Sequence, residues 1–319
     1  METLQAATVK EVEIAVDRDQ WLEQRKGYIG ASDVGTLLGL TTWGSPYELW
    51  ARATGKLPSK DFDTERMAWG RRLEAAIALG IAEDSGFACY QPSVMWQDTQ
   101  LRASATLDYI IPEPAGRILD ELPNATGRGV FEIKNVDGII ASQKWTDGEP
   151  PANYLVQLQQ QLMLSGCTWG AIGGLVGGNT GHLFVYERHE PTIARIHEAI
   201  SEFWQRVERN DPYPIDDSFA TLDAVKQQHP TDNGEMLDKT DCDELYMWAE
   251  EYKAAASDAS SANARKRKAQ ANLMASLGDA KTMALKGYNV TTSLVEKDGH
   301  FVSASSYRRF SIKAANKGK

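Results

Sequence analysis

Gly129-Val130-Phe131-Glu132-Ile133-Lys134-Asn135-Val136 alternates as a half-buried strand does, with Val130, Glu132 and Lys134 on one face and Phe131, Ile133 and Val136 mostly on the other. A carboxylate and an ammonium thus share one face. By itself an E-x-K pair is more often a solvated ion pair on an edge strand than a site. Its neighbours change that reading. Upstream, Ala105-Thr106-Leu107-Asp108-Tyr109-Ile110-Ile111 is a second apolar strand with an acid within it or at its end. A buried aspartate is too costly to leave unpaired, so it is hydrogen-bonded or bound to a cation.

Two helices flank this pair of strands. From Thr64 to Gly86, the residues Trp69, Leu73, Ala76, Ile77, Gly80 and Ile81 recur at helical spacing and predict a buried stripe, with Glu74 beside it. After the strand, Pro150-Pro151 opens a helix that runs to Ser165 and stops at Gly166. Leu155, Leu158 and Leu162 form its buried stripe, while Tyr154, Gln157 and Gln161 share a separate polar face.

The order Glu74, Asp108, Glu132-x-Lys134, Gln157 resembles the PD-(D/E)XK nucleases, and more narrowly the phage lambda exonuclease and YqaJ-like viral recombinase group, over residues 20 to 212. Gly70-Arg71-Arg72-Leu73-Glu74 matches the group's G-x-x-L-E, and Tyr154, Gln157 and Gln159 match its Y-x-x-Q-x-Q. Pro46-Tyr47-Glu48-Leu49-Trp50-Ala51-Arg52-Ala53-Thr54-Gly55 matches its P-x-E-L-W stretch. Where the group has S-P-D-G, this chain has Thr106-Leu107-Asp108-Tyr109. The resemblance implies an α/β fold with a central mixed sheet flanked by helices, followed here by a C-terminal α+β region. It also implies a Mg2+ site, with Mn2+ as the alternative ion, held by Asp108, Glu132, Glu74 and the Ile133 carbonyl. Lys134 and Gln157 would act on the attacking water. Asp120, twelve residues before Glu132, is a second candidate ligand, but Pro112 to Gly129 reads as a loop, which favours Asp108.

Nearer the start, Trp21, Arg25, Gly27, Ala31 and Ser32 match the group's W-x-x-x-R-x-G-x-x-x-A-S, which binds a 5′-phosphate. Read from the residues alone, Ser32 or Ser32-Asp33 supplies the N-cap of a second helix, whose free N–H groups with an Arg suit an anion.

Composition sets the remaining limits. With 319 residues, 42% hydrophobic and 24% charged, the chain is an ordinary globular protein with room for one large core or two domains. The expected division is a nuclease domain over 1–212, a Pro/Asp-rich linker over 213–238, and an accessory region over 239–319 that is first helical, then β-rich at 288–295 and 306–312. No run approaches 18 apolar residues, and the start lacks an export signal, so a membrane role is excluded and a bacterial cytoplasm, with a phage or prophage gene, is the expectation. Cys89, Cys167 and Cys242 are far apart and form no C-x-x-C, and the five histidines form no H-E-x-x-H, so any metal sits on oxygen.

The net charge of −10 is unevenly spread. Residues 265 to 319 carry 12 Lys/Arg against 3 Asp/Glu, leaving 22 against 41 in the rest. The acidic part can meet DNA only through local bases, backbone donors and bound cations. The expected activity is exonucleolytic digestion of linear duplex DNA from 5′-phosphorylated ends. By resemblance, the expected partners are a phage single-strand annealing protein and further copies of the chain in a trimer. A repair or restriction-type nuclease on the same fold, and a non-catalytic end-binding module, are the competing readings. Lys144 is the nearest base after the E-x-K strand, where the lambda pattern has one.

Overall fold

The computed structural model describes residues 8–58, 64–139 and 148–294. The chain divides into two compact units, Met1–Gln228 and His229–Lys319.

The first unit contains two four-stranded sheets. One has the order β1 (Val9–Glu13), β3 (Val94–Asp98), β4 (Ala103–Thr106), β2 (Ile29–Gly30), antiparallel except for the β4–β2 pair. The other has the order β5 (Tyr109–Ile111), β6 (Gly129–Val136), β7 (Trp169–Val176), β8 (Thr180–Glu187). Here β6 and β7 run parallel, with Glu132 opposite Ile172 and Lys134 opposite Gly174, while the outer pairs are antiparallel. Parallel neighbours need a crossover, and α6 (Ala152–Ser165) supplies it. The mixed sheet flanked by helices is the expected α/β architecture. The unanticipated β1 adds an edge to the other sheet, and Phe87 to Tyr90, read as a strand, contributes only a bridge between Tyr90 and Ile110.

The alternation in β6 is realised. Phe131 and Ile133 enter an apolar cluster with Ile77 and Ile81 of α4 (Glu65–Ser85), while Val130 joins a second cluster with Leu158 and Leu162 of α6. Thus α4 and α6 cover opposite faces of the sheet. The stripe of α4 starts later than its periodicity suggests: Ile77, Ala78, Ile81 and Ala82 are buried, whereas Trp69 is 48% exposed with the Arg72 guanidinium 5.0 Å from its ring centre. The burial sits in the half of the helix from residue 77 onward.

Helix α6 also joins the two sheets. Its Gln160 is fully buried and donates to the carbonyls of Ile29 on β2 (2.9 Å) and Ser104 on β4 (3.1 Å). An apolar replacement would strand both acceptors at about 1–3 kcal/mol each. Helix α2 (Ala31–Leu37) packs along α6, and a Cβ on Gly35 would lie 2.9 Å from the Asn153 Cβ, so only glycine permits that approach.

Helix α1 (Arg18–Arg25) is capped by Asp17, and α3 (Pro46–Ala53) by Ser45 with proline in its first turn. The Pro112 to Gly129 stretch is not all loop, because Arg117–Glu121 forms the short helix α5 around the buried Ile118. Helix α7 (Glu190–Arg209) buries Ile193, Ile196, Ile200, Phe203 and Trp204. The stretch 213–238, read as linker, contains α8 (Phe219–Gln228). There Thr221 donates to the Ser45 hydroxyl at 2.8 Å, Ala224 is buried, and Tyr47 donates to Gln228 at 2.9 Å. Prolines and aspartates around this short helix masked its packing against α3.

The second unit consists of the long helix α9 (Asp243–Leu277) and the hairpin β9 (Thr282–Leu285), β10 (Tyr288–Thr291). The strand expected at 306–312 lies outside the described residues, as does Lys144. Among the described residues no helix is long and apolar enough to cross a membrane.

Candidate active site

Asp108 sits where the chain passes from β4 to β5, that is, from one sheet to the other. The β5–β6 ladder ends at the Tyr109–Phe131 pair. Beyond it, the Ile133 N–H donates to Asp108 Oδ2 at 2.8 Å, so the carboxylate finishes a ladder that the strand no longer reaches. This ties the acid to the backbone between Glu132 and Lys134.

Glu132 is only 2% exposed and is the centre of the site. Its Oε1 accepts from Lys134 Nζ (2.5 Å) and from Gln157 Nε2 (2.5 Å), and its Oε2 accepts from Gln161 Nε2 (2.5 Å). Lys134 also donates to Gln157 Oε1 at 3.1 Å and lies 4.9 Å from the Tyr154 ring centre. Lys134, Gln157 and Glu132 therefore form a closed triangle. Since one turn of α6 separates Gln157 from Gln161, the two amides clamp both oxygens of one carboxylate.

Gln161 was visible in the sequence as part of a polar helix face, at the i+4 position from Gln157, but the family pattern pointed to Gln159 instead. Gln159 does something else: it donates to the Glu187 carbonyl (2.9 Å) and accepts from the His189 N–H (2.8 Å), securing the end of β8. The amide oxygen of Gln161 is buried without a hydrogen-bond partner.

The electrostatics are those of crowded acids. Burial, then the charges of Glu132 and Glu74, holds the Asp108 carboxyl well above the usual carboxylate range. Burial, then the charge of Glu132, raises Glu74 on α4 as well, against the pull of Lys134 and Arg71. For Lys134, burial works to discharge the amine, but the attraction of Glu132 and Asp108 outweighs it and the ammonium is favoured. Asp120, by contrast, is exposed on α5.

Among the described residues no three His, Cys, Asp or Glu side chains converge as a ready-made metal cage. The donors nevertheless fit a hard divalent cation. They are all oxygens, the carboxyls of Asp108 and Glu74 are both raised by burial and by the charge of Glu132, and a buried amide oxygen beside Glu132 lacks a partner.

A second polar group lies at the start of α2. The Arg25 guanidinium donates to the Ser32 hydroxyl at 3.1 Å, lies 3.8 Å from Asp33 and stacks 4.6 Å from the Trp21 ring centre. A Cβ on Gly30 would sit 2.5 Å from that guanidinium, so glycine keeps its path open. Ser32 is not the expected cap: the N-cap is Gly30, without a side-chain bond, and the Ser32 hydroxyl faces Arg25 instead.

Residues 20–168 match the model of the YqaJ-like viral recombinase domain. The chain is 28% identical over 229 residues to the YqaJ protein of Bacillus subtilis (strain 168), covering 70% of this chain and 68% of that one. Among solved structures it is similar to the alkaline exonuclease LHK-Exo from Laribacter hongkongensis, at 19% identity and a TM-score of 0.49 over 60% of this chain and 94% of that one. It is also similar to a phage related exonuclease from Haemophilus somnus 129PT, at 10% identity and a TM-score of 0.39 over 57% and 96%. Residues 20–168 are therefore similar to the YqaJ-like viral recombinase domain, and that span contains Arg25, Ser32, Glu74, Asp108, Glu132, Lys134, Gln157 and Gln161.

Proposed function

We propose that the chain is a divalent-metal-dependent exonuclease that digests linear double-stranded DNA from 5′-phosphorylated ends and leaves 3′ single-stranded tails for annealing-based recombination. The observation that carries this reading is the enclosed set Asp108, Glu132, Lys134 and Gln157 joined across β6 and α6. Hydrolysis of a phosphodiester needs the phosphate's charge offset, a water aimed at phosphorus and a stabilised leaving oxygen.

Asp108, Glu132, Glu74 and the Ile133 carbonyl would hold Mg2+ or Mn2+, which supplies charge neutralisation and a more acidic water. Lys134, favoured as the ammonium, acts as a donor rather than a base: it orients the attacking water and balances charge on the phosphate oxygens. Gln157 fixes the Lys134 amine through its carbonyl and Glu132 through its amide, and so sets the angle between them. Arg25 and Ser32 receive the terminal phosphate, since a guanidinium already backed by Trp21 loses little freedom on binding it. The tail left behind is the substrate class of a single-strand annealing protein, the partner this activity calls for.

The test is digestion of linear duplexes bearing 5′-phosphate or 5′-hydroxyl ends, beside a closed circle, with Mg2+, Mn2+ or chelator. Fast loss of the phosphorylated linear duplex alone, only with an ion, is expected. Cleavage of the circle, or equal rates on both ends, would overturn it.

A further inference from the structure

Helix α9 spans 35 residues, roughly 50 Å, and is exposed at nearly every position up to Leu277. A helix of this length without burial is a surface awaiting a partner, and its own residues state which partner fits. In heptad spacing, one row is Leu245, Tyr252, Ala259, Lys266 and Leu273. The companion row is Trp248, Ala255, Ala262, Ala269 and Ser276. Together they make a seam along one face, bulky near the start and small through the middle.

The charges on the helix are divided about its centre. Residues 243–260 carry five acids and one lysine, and residues 261–277 carry four bases and no acid. Matching of the helix macrodipole does not explain this, because that effect fades within the last turn and the basic run Arg265 to Lys268 ends nine residues before Leu277. A helix acidic in its first half and basic in its second is complementary to itself when reversed.

We propose that α9 pairs with α9 of a second copy of this chain as an antiparallel coiled coil, with the two-fold axis between Ser260 and Ser261. That axis follows from the charge division, and the heptads agree with it independently. It stacks Ala259 on Ala262 of the second copy, Tyr252 on Ala269 and Trp248 on Leu273, so each bulky residue meets a smaller or apolar one. On the flank, Asp258 comes to face Arg265 of the second copy, and by symmetry this pair forms twice.

The hairpin supplies a receptor for the bulky end. Between α9 and β10 lies an open groove of about 570 Å³, lined on the helix by Lys266, Ala269, Leu273 and Met274 and on the strand by Val290. Three of its helix residues, Lys266, Ala269 and Leu273, belong to the seam, and the register delivers Trp248 of the second copy to Leu273. Trp248 is 65% exposed within its own chain. The indole thus fills the groove in the assembly.

The experiment is sedimentation velocity of the full chain over a micromolar concentration series, with circular dichroism to follow helicity. The wild type is expected to associate further as its concentration rises, through pairing of α9. Asp258→Arg and Arg265→Asp should each weaken the dimer at least about tenfold, since each creates two like-charge contacts per dimer. The double exchange D258R/R265D, with wild-type composition, should restore it to within about threefold. Trp248→Ala should weaken the dimer without loss of helicity. A monomeric wild type, an oligomer indifferent to both reversals, or a double exchange that fails to restore pairing would each overturn the proposal.

Discussion

Gln161 Nε2 lies 2.5 Å from Glu132 Oε2, opposite the 2.5 Å contact of Gln157 with Oε1, so the carboxylate is gripped from one turn of α6 on both oxygens. Groups that orient a metal ligand typically contribute 10- to 100-fold to affinity or activity. Gln161→Ala should therefore lower the nuclease rate by about that factor, as should Gln157→Ala, while Gln159→Ala should act on stability and leave the rate per folded molecule nearly intact. Rates from initial digestion of a phosphorylated duplex, with melting temperatures alongside, distinguish the three.

Lys134→Ala and Glu132→Gln should each cut cleavage by about 100- to 1,000-fold or more and leave DNA-end binding in place, because they remove groups needed in the transition state. Asp108→Asn should do the same and Asp120→Asn should not. A fall in rate for Asp120→Asn alone would move the site to α5.

The raised Asp108 carboxyl makes a statement about stability. An acid whose folded value lies above its ordinary 3.8 binds the proton more tightly when folded. Stability of the metal-free chain should therefore fall as pH rises from about that value through the raised folded one, and stay low above it. Asp108→Asn keeps an acceptor for the Ile133 N–H and should be more stable than wild type at neutral pH in chelator, with a flatter profile. Mg2+ or Mn2+ should raise the melting temperature of the wild type but much less that of the variant.

Arg25→Ala and Ser32→Ala should slow digestion of 5′-phosphorylated ends toward the 5′-hydroxyl rate, with the arginine change larger because it removes a charge and a two-pronged donor. Unchanged discrimination between the two ends in Arg25→Ala would remove the phosphate role from this residue.

Truncation separates the units. A chain ending at Gln228 keeps α8 with its Thr221–Ser45 and Tyr47–Gln228 bonds and should fold and cleave DNA. One ending at Asp217 loses the buried Thr221 and Ala224 and should melt lower or precipitate. Equal melting temperatures for both would mean that α8 contributes nothing to the first unit.

Much of this protein is legible from the sequence because local rules govern it. The period of two in β6 placed Glu132 and Lys134 on one face, and the Pro150 and Gly166 boundaries bracketed α6. The helical start of the accessory region was likewise visible. What could not be read are the relationships that arise only when distant segments meet. The ladder ends at Tyr109 and hands the Ile133 N–H to Asp108, twenty-five residues away, which no periodicity encodes. The four glutamines Gln157, Gln159, Gln160 and Gln161 look alike as polar helix residues. Packing against two sheets gives Gln160 to the carbonyls of β2 and β4, Gln159 to the end of β8, and Gln157 and Gln161 to Glu132. Ser32, which has the composition of a cap, is turned to Arg25 because Gly30 takes the cap position. Sequence determines which faces are apolar and where chains must turn, since these follow from a residue and its near neighbours. Which buried polar group satisfies which other is decided by the tertiary structure, because an enclosed donor or acceptor must find its partner wherever the fold brings one within hydrogen-bond reach.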